Sequence, residues 1–168
     1  MSRFFLILLA VAVTAPASAQ SSAETKTLPA LFTSGTFGIG YVDGEHASEL
    51  LTLDASLDLH RRRHAGGVRI RTHSPFFSIG ASERVIEAGV VYSYSLTRSL
   101  SVGTGLLYIN QIYHSREASG FIKSKRLGIP AEVVFRLRPL PQFGPYVRGM
   151  LTFSGAPPHG GISLGISF

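Results

Sequence analysis

Ile162-Ser163-Leu164-Gly165-Ile166-Ser167-Phe168 closes the sequence. Every second residue is large and apolar, and the residues between are Ser, Gly and Ser. A period of two is the mark of an extended strand with one greasy face and one thin, polar face. The same period runs backwards through most of the chain. Leu51, Leu53, Ala55, Leu57 and Leu59 alternate with Thr52, Asp54, Ser56, Asp58 and His60. Phe37, Ile39 and Tyr41 alternate with Gly38 and Gly40, and Asp43-Gly44 follows as a hairpin signal.

Taken in order, the pattern predicts strands over about 33–42, 48–60, 68–74, 85–96, 100–112, 126–138, 146–153 and 162–168. Arg61 to Gly67 reads as a basic turn, and His114 to Lys125 as a longer polar loop. Phe76, Phe77 and Ile79 form an aromatic patch between the third and fourth strands. Pro130 falls inside the sixth strand, where a closed sheet has no free edge for it. A bulge or an end of pairing is expected there.

Composition narrows the class. Of 168 residues, 45% are hydrophobic and 15% charged, against about 25% charged in soluble domains. There is no cysteine, so disulfides, thiolate metal sites and a lipoprotein anchor are excluded. Residues 1–19 read as a signal peptide: Arg3, the apolar run Phe4 to Val13, Pro16, then Ala17-Ser18-Ala19 before Gln20. Residues 20–32 read as a short periplasmic lead, and 33–168 as the barrel domain. No later run reaches the ~18 apolar residues of a membrane helix. The formal charge is +6. For an exported chain that points to acidic headgroups and lipopolysaccharide phosphates rather than nucleic acid.

The terminal strand resembles the closing strand of bacterial outer-membrane β-barrels. That resemblance implies that Ile162, Leu164, Ile166 and Phe168 form the signal read by the barrel assembly machinery. The Tyr- and Gly-framed hairpin from Tyr92 to Tyr108 is similar to those of small porin-family barrels. Over about residues 33–168 the chain resembles the OmpX/OmpA-like porin-family superfamily. The expected fold is all-β: a monomeric, eight-stranded antiparallel transmembrane barrel in the outer membrane, after a cleaved signal peptide. Eight strands of ~9–11 residues leave room for seven connections. A secreted β-sandwich also alternates, but the thin face here is heavily charged.

That thin face carries Asp54, Asp58, Glu87 and Glu132 with Arg69, Arg71, Arg126, Arg136, Arg138 and Arg148. In a barrel of eight strands the interior is just wide enough to be filled by side chains. The expectation is a charge-paired, plugged lumen in a protein with a structural or surface-interaction role. The alternative is a narrow pore, which six Arg against four acids would bias towards anions. His46 and Ser48, with Glu45 or Glu49 nearby, resemble in residue type the His, Ser and Glu of barrel-borne lipid A deacylases. Nothing else around them matches that pattern, and the expectation is a non-enzyme. His114, Ser115 and Glu117 cannot form a triad, since strand neighbours face opposite sides. The histidines His46, His60, His64, His73, His114 and His159 show no metal-ligand spacing on a shared face. No metal or cofactor is expected.

Overall fold

The structure, a computed structural model, describes residues 31–43, 50–75, 83–115, 120–138, 142–155 and 157–168. Eight strands follow one another: β1 (Phe32–Asp43), β2 (Leu50–Arg61), β3 (His64–Pro75), β4 (Arg84–Ser95), β5 (Leu100–Ser115), β6 (Gly120–Arg136), β7 (Gly144–Phe153) and β8 (His159–Ser167). Each pairs antiparallel with its sequence neighbours, and β1 pairs with β8 to close a barrel. The start of β1, the end of β8 and the connections after β2, β4 and β6 share one rim, called here the terminal rim. The hairpins after β1, β3, β5 and β7 share the distal rim.

The alternation decides which way the sheet faces. Leu53, Leu57 and Leu59 of β2, Val68 and Ile70 of β3, Ile129 of β6 and Leu164 of β8 all point outward and are 40–58% exposed. Asp54, Arg71, Glu87, Glu132 and Arg148 point inward and are at most 3% exposed. Hydrophobic burial ordinarily drives a sheet the other way. The greasy side chains therefore form the outer surface of the barrel.

The β1–β8 seam pairs Gly38 with Gly165 and Gly40 with Ser163. A Cβ on Gly38 would collide with the Tyr146 hydroxyl and lie 2.9 Å from Asp54 Oδ2. Glycine thus makes room for large polar side chains crossing from the opposite wall. Phe168 lies one residue past β8, yet its N–H donates to the Gly35 carbonyl at 3.0 Å and its own carbonyl accepts from Gly35 N–H at 2.7 Å.

Several boundaries differ from the sequence reading. The basic turn is only Arg62-Arg63, because His64 to Gly67 pair with β2 and β4. Arg62 carries φ +58°, as the first central residue of a tight hairpin requires. The expected polar loop over 114–125 is mostly strand: Ile112↔Lys123, Tyr113↔Ile122 and Ser115↔Gly120 carry β5 one short step past β4, and β6 far beyond β7. Pro130 lies in no bulge. The β5–β6 ladder breaks between Thr104↔Ala131 and Leu107↔Gly128 and resumes in the same register, while Pro130 still pairs with Thr152 of β7. The missing N–H faces a gap of two residue pairs, and the ladder is not shifted. Phe76, Phe77 and Ile79 lie outside the described residues.

Candidate functional site: the barrel interior

The inward positions build a stack of polar layers. At mid-height, Glu132 of β6 reaches three cations. Its Oε2 lies 3.0 Å from Arg69 Nη2 and 3.8 Å from Arg148 Nε, and its Oε1 pairs with Arg71 Nη2. Arg148 of β7 crosses the lumen to pair with Asp54 of β2, and its Nη2 donates to Thr36 Oγ1 at 3.0 Å. The Tyr146 hydroxyl donates to Asp54 Oδ1 at 3.0 Å, and the Arg148 guanidinium lies 4.9 Å from the Tyr146 ring centre. Arg71 also donates to Glu87 Oε2 at 3.1 Å. Fully buried charges persist only when paired and hydrogen-bonded, and this network links six strands.

Towards the terminal rim, the Ser56 hydroxyl donates to Asp58 Oδ2 at 3.1 Å, and Arg136 donates to Ser101 Oγ at 2.9 Å. His60 Nε2 lies 2.7 Å from Ser34 Oγ, and its ring stacks on Phe32 at 4.5 Å. Towards the distal rim, Gln111 bridges two charges. Its Nε2 donates to Glu83 Oε1 at 2.6 Å, and its Oε1 accepts from half-buried Arg126 at 2.7 Å. His159 Nε2 lies 2.6 Å from Glu87 Oε1.

Arg138 lies two residues past the end of β6, exposed at the terminal mouth of the lumen, with its stem beside the inward face of Gly144. Glu83, read from sequence as part of a loop, instead points inward and is buried. Counting half-buried Arg126, the inward set is Arg69, Arg71, Arg126, Arg136 and Arg148 against Asp54, Asp58, Glu83, Glu87 and Glu132, five of each sign among the described residues.

Two further features were not visible in the sequence. Leu50, Val85, Val91, Leu107 and Ile109 form an apolar cluster inside the barrel. In Leu106-Leu107-Tyr108-Ile109 both faces are apolar, so no alternation separates wall from lumen. The second feature is His73 of β3, Glu87 of β4 and His159 of β8, whose ligand atoms all lie within 4.8 Å of one another. These residues come from opposite walls, and no spacing along the chain announces them. His46, Ser48, Glu45 and Glu49 lie outside the described residues.

No protein family matches the sequence, and no curated protein does. Solved structures do. Neisserial surface protein A (NspA) aligns at 11% identity and a TM-score of 0.51, over 83% of this chain and 96% of that one. Ail, the attachment invasion locus protein of Yersinia pestis, aligns at 10% identity and a TM-score of 0.54, over 82% of this chain and 97% of that one. The resemblance to small eight-stranded outer-membrane β-barrels therefore holds at the level of the fold.

Proposed function

We propose that this chain is an outer-membrane β-barrel of the bacterial envelope, exported behind a signal peptide at residues 1–19, with a side-chain-plugged lumen and a structural or surface-interaction role. The inside-out sheet carries this reading. A belt of exposed Leu, Ile, Val and Phe surrounds a buried set of ion pairs, and lipid is the surrounding in which that arrangement costs least. The names of the two structural neighbours, a surface protein and an attachment invasion locus protein, favour the same kind of role.

The barrel acts as a monomer, since its closed ladder offers no free edge. Its partners are outer-membrane lipids and lipopolysaccharide, whose phosphates suit the exposed Lys123 and Lys125 near the distal rim. Ile162, Leu164, Ile166 and Phe168 engage the assembly machinery during insertion. An anion-leaning pore has less support, because the inward charges are balanced. The protein does no catalysis on this reading.

The test is membrane fractionation with gel mobility before and after boiling. The expected result is an outer-membrane band that runs faster unboiled than boiled, with no single-channel steps in planar bilayers. A soluble periplasmic protein whose mobility ignores boiling overturns the architecture, and steady conductance steps overturn the plug.

A further inference from the structure

We propose that His73, Glu87 and His159 form a binding site for a borderline divalent cation of the zinc type, set in the lumen just below the distal rim. Two imidazoles and one carboxylate are a ligand set suited to such an ion. Ligand atoms at ~2.0–2.1 Å from a tetrahedral ion stand about 3.3 Å apart. Two separations bracket that value through different oxygens, His159 Nε2 to Glu87 Oε1 at 2.6 Å and His73 Nε2 to Glu87 Oε2 at 3.7 Å, and one ligand atom from each residue falls within 4.8 Å of the others. Rotamer shifts of about an ångström would gather all three around one ion.

A second, independent observation points to a ligand. His73 is 1% exposed, and its Nε2 has no hydrogen-bond partner, since 3.7 Å is too long for one. A buried imidazole nitrogen facing a carboxylate and another imidazole is costly unless something fills the space between them. The far side of the same ring is already held: Nδ1 lies 2.7 Å from Thr52 Oγ1. When Nδ1 donates to that hydroxyl, Nε2 presents its lone pair to the site. Metal-bound histidines are commonly oriented by such an outer hydrogen bond.

The surroundings supply an open coordination position and a route in. A cavity of about 10 Å³ adjoins both histidines and is lined also by Glu83, Val85 and Gln111. That is room for about one water molecule, which an ion would hold as its fourth ligand. His159 is the first residue of β8, beside the distal hairpin, and is the least buried of the three. Two features work against binding: Arg71 lies 3.1 Å from Glu87 Oε2 and draws on the same carboxylate, and Arg126 also lines the cavity. Buried Glu83 on the cavity wall offsets the Arg126 charge. The site requires only the folded barrel, whatever the protein's role.

The test uses the mature, tag-free barrel refolded in detergent, stripped with chelator and titrated with zinc chloride by calorimetry. Bound metal is counted by elemental analysis after desalting. One zinc per chain at a micromolar or tighter dissociation constant is expected. His73→Gln and His159→Gln, each checked for heat-dependent gel mobility, should each weaken binding at least tenfold. His64→Gln, changing an exposed histidine bonded to Tyr92 on the outer wall, should leave binding unchanged. Less than a tenth of an equivalent bound to wild type overturns the proposal. So does equal zinc uptake by folded wild type, His73→Gln and His159→Gln.

Discussion

Glu132→Gln is the most searching single change this barrel offers. Glu132 is 3% exposed and serves Arg69, Arg71 and Arg148 together. Arg71 keeps Glu87, and Arg148 keeps Asp54, but among the described residues Glu132 is the only carboxylate within ion-pair distance of Arg69. Removing one partner of a buried pair costs about 3–5 kcal/mol, because an uncompensated charge stays behind. That is roughly a hundred- to a few-thousand-fold in the folding equilibrium. The chain has no tryptophan, so the folded fraction is best read from unboiled gel mobility across a urea series in phospholipid vesicles. Arg69→Met combined with Glu132→Gln should recover most of the loss. It leaves four cations and four carboxylates inside, with Arg71–Glu87 and Arg148–Asp54 intact. A single variant within ~1 kcal/mol of wild type, or a double variant no better than the single, would refute the pairing account.

The outer face and the terminal hairpin give two further checks. Ile70 is outward in the middle of β3, opposite Ala55 and Ala88. Ile70→Arg should cost about 2–4 kcal/mol in vesicles, and Leu59→Arg, nearer the terminal rim, about 0–1 kcal/mol. Equal and small effects of the two in a lipid titration would count against a membrane belt. Arg62 holds φ +58°, a conformation costing a non-glycine residue about 1–2 kcal/mol. Arg62→Gly should therefore be neutral or stabilising by up to about 1 kcal/mol, since glycine also enlarges the unfolded ensemble. A clear loss of stability in the same urea series would show that the Arg62 side chain contributes contacts of its own.

The outer face could be read from the sequence because it has a single requirement along its whole height. Leu51 to Leu59 shows an unbroken period of two for that reason. Where that requirement lapses, legibility lapses with it. Between Gly120 and Gly128, β6 pairs only with β5, and β7 joins the β6 ladder at Ile129. Lys123 and Lys125 resemble a loop because they put charge on the outward face, although they are paired as strand. Parity could not reach Glu83, where no strand was visible to count from. Partners across the lumen lie further out of reach. His73 and His159 are separated by most of the chain, and only the curvature of the closed sheet brings them to one carboxylate.

Glu83 and Arg138 change the electrostatic reading more than any boundary does. Six inward Arg against four acids would have left a standing positive potential, the condition for an anion path. With Arg138 exposed at the mouth and Glu83 buried inside, the excess among the enclosed charges vanishes. Part of the wall beside these charges is dry: Leu107 and Ile109 are fully buried, with Val91 and Val85 against them. Apolar walls lower the local dielectric, which strengthens every correct pair and penalises every broken one. A permeating anion would have to draw Arg71 or Arg148 away from the carboxylates they pair with. The same interior that is costly to expose to an ion stream holds its arginines and carboxylates in one arrangement. For that reason, substitutions among these charges should register first as lost stability and only secondarily, if at all, as conductance.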